Sequence, residues 1–139
     1  HNDHFAWAVA AKKTKHQSFG IDVESVISPK AQHEIHAEIV SEQEWSLARS
    51  SINELSDEQL FTVLFSAKES FYKCWHPLKG CFFLDFRDVD VVSMNEHSVT
   101  LATDELPSTS AKDSKLLIHF KIIEDQTFTA TWIEGDLLS

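Results

Sequence analysis

Two short stretches hold the residue types that could do chemistry. In "GIDVES" (20–25) Asp22 and Glu24 stand two apart, and in "FSAKESFYK" (65–73) Lys68, Glu69 and Lys73 sit among Phe65, Phe71 and Tyr72. On a strand, a spacing of two sends both carboxylates out of one face while Ile21 and Val23 leave the other. Paired carboxylates repel unless a cation lies between them, and Mg²⁺ is the usual cation where a phosphate supplies further oxygens. Alone, the pair is a weak signal and reads first as an acidic, exposed strand face. On a helix, Glu69 lies one turn from both Lys73 and Phe65, on the flank of an apolar stripe. A solvated Glu–Lys pair at that spacing is worth only a few tenths of a kcal/mol, so this stretch alone does not decide between scaffold and site.

Other constellations fail on spacing. "HEIHAE" (33–38) carries its histidines three apart, whereas the zinc motif H-E-x-x-H needs four, so His33 and His36 read as solvated helix residues. Ser66 and Ser70 have no glycine-framed nucleophile elbow, and the chain's three glycines form no phosphate loop. Cys74 and Cys81, seven apart, suggest neither a zinc site nor a disulfide framework and read as small apolar groups. Phe5, Trp7, Phe82, Phe83, Phe120, Phe128 and Trp132 read as core.

The elements that must position these residues follow from caps and periodicity. "HFAWAVAA" (4–11) and "SFGIDVESV" (18–26) read as strands joined by a polar link, with Pro29 ending the second. Ser41 with Glu44, and Ser56 with Gln59, are capping boxes, which predict helices over about 41–51 and 57–75. Leu60, Leu64, Ala67, Phe71 and Trp75 form the buried stripe of the second, which Pro77 and Gly80 close. "FRDVDVVSM", "HSVTLAT", "KLLIHFKII" and "QTFTATWIEG" read as strands, and 106–115 as a loop. The expected fold class is α+β, a mostly antiparallel sheet covered on one face by the long helix.

With 139 residues and 42% apolar content, one hydrophobic core is expected. No run is long and apolar enough to span a bilayer, and no leader is evident, so a soluble, cytoplasmic and monomeric chain is expected. A net charge of −10 argues against a nucleic-acid partner, since phosphate neutralisation needs clustered Lys and Arg. A phosphate-bearing ligand would be held by a few placed cations or by a metal.

Taken together, "GIDVE" followed by "FSAKESFYK" resembles the paired signatures of the Sfp/EntD-type 4′-phosphopantetheinyl transferases, G-[IV]-D-x-E and [FW]-S-x-K-E-S-x-x-K. His1 before "FAWAVAA" is similar to the end of the family's Ser-x-Ser/Thr-His segment, and the wording around Phe65 leans toward the EntD-like branch, which serves siderophore synthesis. Family members consist of two similar α+β halves. The resemblance therefore implies that residues 1–139 are the second half plus the end of the first, with an N-terminal part preceding His1. It implies transfer of the phosphopantetheine arm of coenzyme A to a serine of an apo acyl, peptidyl or aryl carrier protein, releasing adenosine 3′,5′-bisphosphate. Asp22, Glu24 and Glu69 would bind Mg²⁺, and Glu69 would accept the serine proton. Lys73 would stabilise the departing group, with His1, Asp22, Lys68 and Lys73 contacting coenzyme A. Carrier docking is expected through an apolar patch near the helix at 41–51. Two rivals stay open on sequence: another Mg²⁺-dependent phosphodiester enzyme using the same carboxylates, and a non-catalytic module that binds coenzyme A or a carrier.

Overall fold

The computed structural model describes residues 16–79, 85–103 and 115–134. Strand β1 (His16–Ser25) leads into helices α1 (Pro29–Ile39), α2 (Glu42–Ser51) and α3 (Asp57–Lys79). A 3₁₀ turn (Phe86–Asp88) then precedes β2 (Asp90–Met94), β3 (Ser98–Ala102), β4 (Lys115–Ile123) and β5 (Gln126–Glu134). The five strands form one antiparallel sheet in the order β1-β5-β4-β3-β2, so the first strand and the last are neighbours. α3 lies across β1 and β5. The α+β class expected from the sequence is the one observed. Among the described residues no helix is long and apolar enough to cross a membrane.

The caps behave as their spacing predicts. Ser41 and Glu44 close a reciprocal box at the start of α2, and the Ser56 and Gln59 side chains bond each other's backbone N–H at the start of α3. The α3 stripe is fully interior: Leu60, Leu64, Ala67, Phe71 and Trp75 meet Val99, Leu101 and Ile118 of the sheet. Each large side chain buried this way contributes about 1.5–3 kcal/mol.

Several expectations change. Pro29 does not merely stop a strand; it occupies the first turn of α1 behind the N-cap Ser28, where its missing N–H costs nothing. Pro77 does not end α3, which continues to Lys79; a proline removes only its own donor, and later residues keep theirs. Phe86–Asp88 is a 3₁₀ turn and not strand, because the Asp85 carboxylate caps it locally. His36 is not a solvated residue: it stacks on Phe61 at 5.2 Å and meets Trp45 edge-on at 5.0 Å, and burial lowers its pKa. Trp132 leaves the core, lying on the outer sheet face and stacking on His119 at 5.0 Å. Cys74 is buried, with its thiol pushed up to about 11 by burial, as a small interior group should be. Residues 4–11, Cys81, Phe82, Phe83 and most of the 106–115 loop lie outside the described residues.

Candidate functional site

The site is built where β1 and β5 meet α3. β1 turns Ser18, Gly20, Asp22 and Glu24 toward the helix, and β5 sets Ile133, Thr131, Thr129 and Thr127 beside them in register. Gly20 makes the approach possible: a Cβ there would run into the Ser70 carbonyl, so strand and helix pass at backbone distance. Ser18 Oγ donates to the Cys74 carbonyl at 2.6 Å, tying the same two elements one turn further along.

Polar side chains fill this contact because each has a partner. Asp22 is 2% exposed, and its Oδ2 accepts from Ser66 Oγ at 2.8 Å. Thr129 Oγ1 lies 2.8 Å from Ser66 Oγ, 2.6 Å from Ser70 Oγ and 3.0 Å from the Ser66 carbonyl. A carboxylate only accepts, which fixes the order of donation: Ser66 gives its proton to Asp22, Thr129 donates back to Ser66, and Ser70 donates to Thr129. Asp22 Oδ1 takes the remaining bond, from Lys73 Nζ at 2.9 Å. Sequence reading dismissed Ser66 and Ser70 because it asked only whether they were nucleophiles. The available signal was that "FSAKES" puts two hydroxyls on the face opposite a Thr-x-Thr-x-Thr strand.

Glu24 and Glu69 join Asp22 electrostatically. Both are partly buried; burial raises each, and the charge of Asp22 raises each further. Glu24 also feels Glu69 and reaches about 7. The structure thus brings Asp22, Glu24, Glu69 and Lys73 to one corner. Lys68 is not among them. Its ammonium donates to the Ile39 carbonyl at 2.7 Å, the Phe86 carbonyl at 2.9 Å and Glu44 Oε2 at 2.9 Å, which uses all three of its protons inside the scaffold. Burial lowers its pKa, against the pull of Glu44. His1 lies outside the described residues.

The donor set suits a hard divalent cation: oxygen ligands only, and three carboxylates whose mutual repulsion a double charge would relieve. The Thr127 hydroxyl, cross-strand from Glu24, is buried without a hydrogen-bond partner among the described residues, a further oxygen in the same seam. As these side chains stand, no three His, Cys, Asp or Glu among the described residues are gathered closely enough to ligate one ion. Lys73 on Asp22 Oδ1 is the contact such an ion would meet first.

No curated protein matches the chain with significance. The family model for the 4′-phosphopantetheinyl transferase superfamily matches residues 18–132, a span running from the first residues of β1 almost to the end of β5 and so containing every side chain of this corner; the chain belongs to that superfamily.

Proposed function

We propose that the chain transfers the 4′-phosphopantetheine arm of coenzyme A to a serine hydroxyl of an apo carrier protein, releasing adenosine 3′,5′-bisphosphate. The observation that carries this reading is the coupling of Asp22, Glu24, Glu69 and Lys73 across β1 and α3, in a chain of that superfamily. The serine oxygen forms a bond to the β-phosphorus as the bond to the bridging pyrophosphate oxygen breaks, and the electron pair leaves with the nucleotide phosphate. Asp22, Glu24 and Glu69 would hold Mg²⁺, which when bound neutralises charge on the pyrophosphate.

The chain's own groups do the rest. Glu69, the α3 carboxylate of this corner, takes the serine proton. Lys73, a third exposed, offers its ammonium to the leaving phosphate. Beside Glu69 a cleft walled by Phe71, Tyr72, Phe86 and Val89 gives the apolar part of the pantetheine arm a surface to lie on. The carrier docks over the α1–α2 junction, where Trp45 and Val40 line an open groove. With the chain itself at −10, contact there is apolar more than electrostatic. The "FSAKES" wording supports the Sfp/EntD-type branch and siderophore carriers, and a buried free thiol fits a reducing cytoplasm.

The test is intact-mass spectrometry of an apo carrier incubated with the chain, coenzyme A and Mg²⁺, beside an EDTA control. The expected result is a gain of one phosphopantetheine arm, abolished by EDTA and slowed roughly 10²–10⁴-fold in Glu69→Gln. Coenzyme A binding with no mass gain would leave a binding module, and hydrolysed phosphodiester would leave the other phosphoryl enzyme.

A further inference from the structure

We infer that Lys73 is a tethered rival of the divalent ion at Asp22, so that ion binding exchanges for Lys73 and releases its ammonium toward the substrate phosphate. The inference rests on the reading above, but it concerns how two groups of this chain share one oxygen.

Asp22 offers a cation very little choice. Its carboxylate is 2% exposed, and Oδ2 is held by Ser66, which Thr129 and Ser70 hold in turn. Rotation of the carboxylate would break a chain of buried hydroxyl bonds whose direction of donation is fixed. Oδ1 is the oxygen outside that hydroxyl chain, and Lys73 Nζ lies on it at 2.9 Å, so an ion that approaches Asp22 there meets the ammonium.

Lys73 is suited to leaving. Its side chain is 32% exposed, its stem is flexible, and its other two N–H donors have no partner among the described residues. Against three carboxylates at this corner Lys73 brings a single positive charge, so negative charge stays in excess. A double charge reaching all three would outcompete one ammonium, and two cations against one oxygen repel. Once displaced, the ammonium stands one helical turn from Glu69, where an anion near the ion would attract it. By linkage, ion and phosphate then favour each other's binding: the ion vacates Lys73, and phosphate keeps it vacated. Lys68 makes the contrast, since with all three protons engaged it has no such freedom.

The test needs neither coenzyme A nor a carrier. Mn²⁺ binding is titrated by the loss of the free-ion electron paramagnetic resonance signal, at one fixed pH, for the natural chain, Lys73→Met, Lys73→Arg and Asp22→Asn. Removing the rival should tighten Mn²⁺ binding about tenfold, the worth of one charged hydrogen bond. Lys73→Arg, which keeps a rival cation, should bind as the natural chain does, and the gain should vanish when Asp22→Asn is added to Lys73→Met. Lys73→Gln, which retains a donor without the charge, carries the comparison if Lys73→Met does not fold. Asp22-dependent binding that is unchanged or weaker without Lys73 overturns the exchange and leaves the transferase reading standing. Absence of Mn²⁺ binding in all the variants overturns the exchange and, with it, the metal part of that reading.

Discussion

Lys68 and Lys73 are five residues apart on one helix, each pairs with a carboxylate at 2.9 Å, and they do opposite things. Lys68 is 2% exposed and saturated: Glu44, the end of α1 and the 3₁₀ turn take its three protons. Glu44 is saturated too, accepting from Ser41 N, Val91 N and Lys68. This pair joins α1, α2, α3 and β2 at one point. Among the described residues Lys73 has one hydrogen-bonded partner, with a third of its side chain in water and neighbouring carboxylates in excess of its single charge. Saturation makes a strut, and incomplete satisfaction keeps a group available for chemistry.

The strut is the place to break the molecule. Lys68→Met would leave the Glu44 carboxylate buried against two backbone N–H groups without its cation, a loss of about 3–5 kcal/mol that urea unfolding would read. Removing both partners in Lys68→Met/Glu44→Gln should cost less than the sum of the singles, because no charge is left uncompensated. If the two changes simply add, the pair does not act as a unit and the contrast with Lys73 loses its basis. Lys73→Met comes next in size. Asp22 keeps its Ser66 bond and loses only the exposed partner, so the expected loss is roughly 2 kcal/mol. Its effect on the transfer rate should exceed its effect on stability, whereas for Lys68→Met the loss of activity should follow the loss of folded protein.

The sequence made the frame of this comparison legible and left its content hidden. Capping boxes at Ser41 and Ser56 and the Leu60–Trp75 stripe locate α2 and α3, because caps and periodicity act within one turn of chain. The same-face placement of Asp22 and Glu24 follows from strand alternation, and register with β5 bears it out. The destinations of the two lysines could not be read this way. Lys68 reaches residues 18 and 29 positions away; Asp22 meets Ser66 and Lys73 only because α3 packs on β1, and Thr129 only because β5 returns to pair with β1. Local spacing put Lys73, and not Lys68, one turn from Glu69, but only tertiary contact shows that the scaffold takes all three protons of Lys68. His36 and Trp132 changed environment for the same reason: each side depends on what another element brings.

The smallest effect sharpens the comparison most, because removing the charge should have opposite consequences in the two carboxylate regions. Glu24 has an ordinary value of 4.5 and is raised to about 7 in the folded chain, by burial first and by Asp22 second. Between those values the folded chain binds a proton that the unfolded chain has lost, so stability falls as pH rises through that window and levels off above it. Glu69 is raised for the same causes and adds in the same direction. For a half-buried group that water partly screens, the Glu24 contribution should be about 1 kcal/mol. Urea midpoints taken in EDTA on both sides of the window would read it. Glu24→Gln should flatten the slope and, above neutral pH, make the protein more stable than the natural chain. Glu44→Gln, at the strut, should destabilise throughout the same range, since it removes the charge that Lys68 requires. A carboxylate whose removal stabilises the fold is held there at a cost, as expected of a group placed for a ligand and not for the scaffold. If Glu24→Gln instead weakened the fold at every pH, Glu24 would belong with Glu44, and the division between the two carboxylate regions would fail.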